Sequence, residues 1–101
     1  MKASHEIRYL RTAEKDLIDI FEYVSKDNPT AAKSLLEKFD TSISRLASNP
    51  NLGAIPKDER LERLGYRMLI VDSYLVFYIV KPRIVQIRRI IHGARQYSFL
   101  M

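Results

Sequence analysis

Between Tyr74 and Val80 the chain reads YLVFYIV, apolar or aromatic at every position, and no other stretch restricts the fold as much. A strand wet on one face alternates apolar with polar residues. This one does not alternate. The run therefore predicts a strand covered on both faces, or covered on one with aromatics lining a groove on the other. Polar breaks of hairpin length, Asp72-Ser73 and Lys81-Pro82-Arg83, lie on either side. Beyond them, Tyr66 to Asp72 and Ile84 to Ile91 alternate or carry charge. The pattern predicts an antiparallel meander with Tyr74–Val80 at its centre. It closes in a basic, histidine-containing segment, His92-Gly93-Ala94-Arg95, where function is expected.

The earlier part of the chain supplies what covers that sheet. His5 to Leu10 (HEIRYL) alternates and predicts a short strand. Ala13, Leu17, Ile20, Phe21 and Val24 follow at helical spacing, opposite a charged face of Lys15, Asp19, Glu22 and Lys26. Thr12 offers an N-cap hydroxyl, and Glu14 and Asp16 put negative charge in the first turn. Asp27-Asn28-Pro29 ends this helix and opens a second, with Asn28 as cap and Pro29 at the first helical position. Its stripe is Ala32, Leu35, Leu36, Phe39, Ile43, Leu46 and Ala47, stopped by Asn49-Pro50-Asn51. Two amphipathic helices so closely joined form an antiparallel hairpin. Leu52 to Leu64 reads as a loop with one short helical turn. Gln96 to Met101 is too apolar to be left wet, and is expected to pack on the fold or dock a partner. The expected architecture is α+β: a short N-terminal strand and an antiparallel helical hairpin packed on a curved antiparallel sheet of about four strands.

A chain of 101 residues holds one hydrophobic core, so residues 1–101 are read as a single domain. With no cysteine there is neither a disulfide framework nor a thiolate metal site. Arg67 and Asp72 keep the longest apolar stretch well short of the roughly 18 residues of a membrane span. MKASHEIRYL lacks a signal-peptide core, and a cytoplasmic location is expected. The formal charge of +5 is uneven. Residues 1–59 hold nine Lys/Arg against ten Asp/Glu, and residues 60–101 hold eight against two. The excess thus lies in the sheet half, which suits a polyanion or an acidic protein partner better than a merely solvated surface.

Several chemistries lack their residues. The three glycines are far apart, so no phosphate loop forms, and His5 and His92 are the only histidines, without metal-ligand spacing. The acidic residues fall mostly on helix faces, where solvated pairing explains them, and no serine has an orienting acid at a plausible spacing. No metal, cofactor or small-molecule substrate is expected. What remains is a set of cations, Arg67, Arg83, Arg88, Arg89, His92 and Arg95, among Tyr66, Tyr74, Tyr78 and Tyr97. Guanidinium forks match phosphate oxygens and tyrosine rings stack on bases. Such a set can bind RNA or an acidic helix, or cleave RNA without metal, with His92 as acid or base and arginines stabilising the phosphorane. The competing structural readings are a hydrogen-bonded histidine at a strand end, and tyrosines that are mostly core. Arg88 and Arg89 are neighbours on a strand, so at most one of them belongs to any single site.

The order of elements, together with GYR…YLVFYIV…IRRIIHGARQ, resembles the RelE/ParE superfamily of bacterial toxins from type II toxin–antitoxin modules. The similarity covers nearly the whole chain and is strongest from Tyr66 to Gln96. Its specific parts are the strand containing Phe77-Tyr78 and the closing His92-Gly93-Ala94-Arg95. The resemblance implies a growth-arresting toxin neutralised by a cognate antitoxin, acidic and partly disordered, that wraps a segment around it. RelE-like members cut mRNA in the ribosomal A site, and ParE-like members poison DNA gyrase. The chain departs from the RelE pattern: Leu75 follows Tyr74 where an arginine is expected, and Met68, Leu69 and Ile70 replace strand lysines. Arg95 matches a family arginine, whereas Tyr97 comes too early for the C-terminal tyrosine. The resemblance therefore leans towards ParE-like inhibition of gyrase through Arg67, Arg83, Arg88, Arg89 and Arg95. The alternative is a ribosome-dependent endoribonuclease using Arg67, His92, Arg95 and Tyr97. A third reading is a non-toxic interaction module derived from such a toxin.

Overall fold

The computed structural model describes residues 5–93; the expectations for Ala94, Arg95, Tyr97 and the 96–101 tail lie outside the described residues. Strand β1 (Glu6–Tyr9) leads into helix α1 (Arg11–Asp27), helix α2 (Pro29–Ser44) and a 3-10 turn at Arg45–Ala47. A loop carries the short helix α3 (Glu59–Arg63) before β2 (Tyr66–Val71), β3 (Tyr74–Val80) and β4 (Ile84–His92). Among the described residues one four-stranded sheet forms, in the order β1-β4-β3-β2.

The apolar run is an inner strand, β3, flanked antiparallel by β2 and β4. Its alternate residues serve two cores. Val76 and Tyr78 face the helices, packing with Val85, Ile87 and Ile90 of β4 and with Leu35, Phe39, Ile43 and Leu46. Phe77 faces the other way, in a smaller cluster with Leu61 of α3, Tyr66 and Ile91, flanked by Met68, Leu75 and Ile79. Burying each large side chain stabilises the fold by about 1.5–3 kcal/mol, which is why a run with no wet face settles here.

The sheet differs from the expected all-antiparallel form. β1 runs parallel to β4, with Glu6 opposite Ile84 and Tyr9 opposite Ile87. The helical hairpin returns the chain to the side from which it left, and the three-strand meander then brings β4 alongside β1 in the same direction.

The start of α1 also departs from expectation. Its N-cap position is Leu10, without a side-chain cap. The Thr12 hydroxyl instead donates to the Arg88 carbonyl at 3.0 Å, and Asp16 accepts from the Ile90 N–H at 2.9 Å. β1 ends opposite Ile87, so the next outward-facing groups of β4 need partners, and α1 supplies them. Along α1, Ala13 is buried and Leu17, Ile20 and Val24 are half-buried, but Phe21 is 37% exposed rather than part of the buried stripe. Asn28 alone separates the two helices. Its side chain accepts from the Ala31 N–H at 3.0 Å, and Pro29 follows at the first helical position. Asn28→Ala is expected to lower stability by about 1 kcal/mol, measurable by urea unfolding.

Candidate functional site

Arg67 sits in β2 opposite Tyr78, and both side chains hold the loop after the helices. The Arg67 guanidinium donates to the Gly53 carbonyl at 2.8 Å and to the Asn51 carbonyl at 3.3 Å. The Tyr78 hydroxyl donates to the Pro50 carbonyl and accepts from the Gly53 N–H, each at 2.8 Å. Burial raises the Tyr78 phenol above its ordinary value, more than the Gly53 N–H and the Arg67 charge lower it. The hydroxyl therefore keeps the proton it donates. Loop residue Ala54 then pairs with Met68 on the outer edge of β2.

The far end of β4 is shaped by a bulge. Tyr78 pairs with Ile87 but Phe77 pairs with Arg89, leaving Arg88 as the extra residue. Arg88 turns onto the sheet face away from the helices. Its Nε donates to the Tyr66 hydroxyl at 3.1 Å and its Nη1 to Gln86 Oε1 at 2.7 Å, with the guanidinium carbon 5.6 Å from the Tyr66 ring centre. Arg89 reaches the first turns of α1, where Nε and Nη2 meet the Asp16 carboxylate at 2.8 and 3.2 Å. His92 ends the strand opposite Tyr74, edge-on to its ring with centroids 5.4 Å apart, and Tyr74 is in turn edge-on to Phe39 of α2. Burial, then the neighbouring Tyr23, raises the Tyr74 phenol.

Between α1 and this end of β4 lies an open groove of about 510 Å³, bordered by Asp19, Ile20, Tyr23, Tyr74, Ile90 and His92. Its lining includes aliphatic and aromatic side chains, and its carboxylates are already engaged: Asp16 with Arg89, Asp19 with Lys15. It suits an apolar or aromatic side chain better than a free cation.

The expected cations are thus spread out rather than gathered at one rim. Arg83 occupies the β3–β4 turn, at the opposite end of β4 from His92. Arg67 and His92 register against Tyr78 and Tyr74. That separation is roughly 13 Å along the strands and two strand spacings of about 4.8 Å across. Arg88 and Arg89 serve opposite sides of the sheet. Among the described residues only Arg89 and His92 of this set border the same groove; Arg95 and Tyr97 lie outside the described residues. Asp16 was not among the expected site residues. The one signal for it is its place at the margin of the α1 stripe, one turn before Ile20, where a carboxylate reaches a strand edge.

Among the described residues, no group of three or more His, Cys, Asp or Glu is placed to hold a metal ion, and no helix is long and apolar enough to cross a membrane.

Comparison with known proteins agrees with this architecture. Residues 7–97 match the family model of the ParE toxin of the type II toxin–antitoxin system parDE. The chain is similar to a solved structure of the chromosomal ParDE system from P. aeruginosa: 25% identity, TM-score 0.72, covering 88% of this chain and 96% of that one. It also shares its fold with a chain of the RelBE2 toxin–antitoxin complex from Mycobacterium tuberculosis, at 22% identity and TM-score 0.60, covering 94% of this chain and 98% of that one. No curated protein matches it.

Proposed function

Since the chain belongs to the ParE toxin family of type II toxin–antitoxin systems, we propose that it arrests growth by inhibiting DNA gyrase rather than by cutting mRNA. As a toxin of such a system it has a cognate antitoxin for a partner, and it acts in the cytoplasm, where gyrase works. The observation that carries the gyrase reading is what fills the positions of the RelE-type cations. Leu75 and Met68 pack against the Leu61–Tyr66–Phe77–Ile91 cluster, and Leu69 packs against the main core. Met68, Leu69 and Leu75 are half-buried in these contacts, and Ile70 is exposed. Three of the four positions pack and none carries a cation, which leaves the developing charge on a cleaved phosphodiester without its usual neighbours.

Arg67 is engaged with two loop carbonyls, and this supports the same reading. Arg95 is proposed as a contact to the target. The test is direct: purified protein inhibits supercoiling of relaxed plasmid by gyrase and leaves mRNA on programmed ribosomes intact. Arg95→Ala is expected to weaken growth arrest about tenfold while the circular dichroism spectrum is unchanged, in keeping with loss of one charged contact. Ribosome-dependent cleavage without any effect on supercoiling would replace this reading with the endoribonuclease. Unimpaired growth on induction without antitoxin would replace it with a non-toxic interaction module.

A further inference from the structure

We infer that Arg88, set on Tyr66 and Gln86 across the outer sheet face, is a binding point for a carboxylate side chain of a protein partner. The inference goes beyond the gyrase reading and does not depend on it. It starts from the five cations that pair with carboxylates among the described residues. Arg8 pairs with Glu6, Lys15 with Asp19, Lys38 with Asp72, Arg60 with Asp58 and Arg89 with Asp16. Arg88 is half-buried, yet its hydrogen-bond partners are a phenol and an amide, both neutral. A charge partly removed from water is normally matched by an opposite one, and none of the described residues supplies one here.

Arg67 also has only neutral partners among the described residues, but it closes a loop by donating to two of its carbonyls. Among the described residues, Arg88 satisfies no backbone group through its side chain. Two side chains and a strand bulge are given over to holding one guanidinium beside the Tyr66 ring and hydroxyl. That arrangement removes the rotamer freedom an arginine loses on binding, and so favours recognition. Nε and Nη1 are engaged, while Nη2 has no protein partner among the described residues. The Tyr66 hydroxyl, used as an acceptor, keeps its own proton to donate. A carboxylate at this point gains a charged N–H donor and an O–H donor together.

The surroundings favour an acidic polypeptide over a nucleic-acid backbone. On the same face lie Met68, Leu75 and Ile79, all half-buried, and exposed Ile70, with exposed Leu64 leading into β2. Arg8, beside Gln86 in the next strand, is already paired with Glu6. One pre-set cation in an apolar field matches an amphipathic segment carrying Asp or Glu, whereas phosphate tracking needs a row of unpaired cations.

The test titrates the full chain with a hexaglutamate peptide, following the Arg88 Nε–H and the backbone amides of β4 by NMR. The Arg88 signal is expected to move. Affinity is expected to fall about tenfold in Arg88→Gln and several-fold in Tyr66→Phe, which keeps the ring, while Lys33→Gln on α2 changes little. Backbone shifts remote from β4 report whether each variant keeps the fold. Equal weakening by Arg88→Gln and Lys33→Gln would mean diffuse attraction and overturn the proposal. So would an oligonucleotide that moves the Arg88 signal when the peptide does not.

Discussion

Gly53→Ala is expected to lower stability by about 3 kcal/mol, at the upper end of overpacking effects, and to drop the thermal midpoint by roughly 15 °C. A Cβ at this position would lie 2.7 Å from the Tyr78 hydroxyl oxygen, 2.8 Å from the Met68 carbonyl oxygen and 2.9 Å from Tyr78 Cε1. Neither neighbour can step aside cheaply. Tyr78 is fully buried, and the Met68 carbonyl belongs to β2 and already accepts from the Ala54 N–H. Any shift that relieves the clash breaks the Ala54–Met68 pair and pulls the loop from the Tyr78 hydroxyl. Arg67 then loses a carbonyl as well, and the effect runs through one hydrogen-bonded cluster. Adding Tyr78→Phe is expected to cost less than it does alone, because its hydroxyl has already lost its partners. A Gly53→Ala protein within about 0.5 kcal/mol of wild type would show that the loop adapts, and the clamp would not exist as described.

Asp16→Ala is expected to cost about 2–3 kcal/mol, somewhat below the range for fully buried pairs because part of each side chain is wet. The carboxylate is 15% exposed and the Arg89 side chain 27%. One residue here makes three contacts: two to the guanidinium and one to the Ile90 N–H. Removing it takes two contacts from a half-buried guanidinium and leaves a strand-edge donor without its acceptor. Asp16→Asn separates the two, since the amide oxygen can still accept from Ile90 but carries no charge, and should cost about half as much. Urea unfolding of the three proteins decides the matter. Equal stability of Asp16→Ala and wild type would mean the pair is a solvated surface contact of little consequence.

Much of the fold is legible in sequence because it is written in periodicity. YLVFYIV has no wet face and duly acquires a core on each side, and the Asn28-Pro29 punctuation places the helix junction. What escapes is what periodicity does not encode. HEIRYL predicts a strand, but nothing local chooses its neighbour or its direction, and it lies parallel to β4. The Ile84–His92 pattern hides the bulge, because one extra residue in IVQIRRIIH leaves the composition of each face nearly unchanged. Thr12 and Asp16 follow the rules of a helix start, yet serve a strand distant in sequence. The same holds for the candidate site. Arg67 attracts notice as a lone cation on an apolar strand, and its acceptors are loop carbonyls that no motif announces. Tyr78 counts as an apolar member of a run, and its hydroxyl proves to be the loop's anchor.

The pairing of β1 with β4 has a consequence for synthesis. The hairpins β2–β3 and β3–β4 can zip as soon as they leave the ribosome, but β1 waits exposed until β4 has emerged to receive it. Leu10, Thr12 and Asp16 likewise stay without their mates until the same moment. The sheet is therefore unfinished until residues 84–92 have been made.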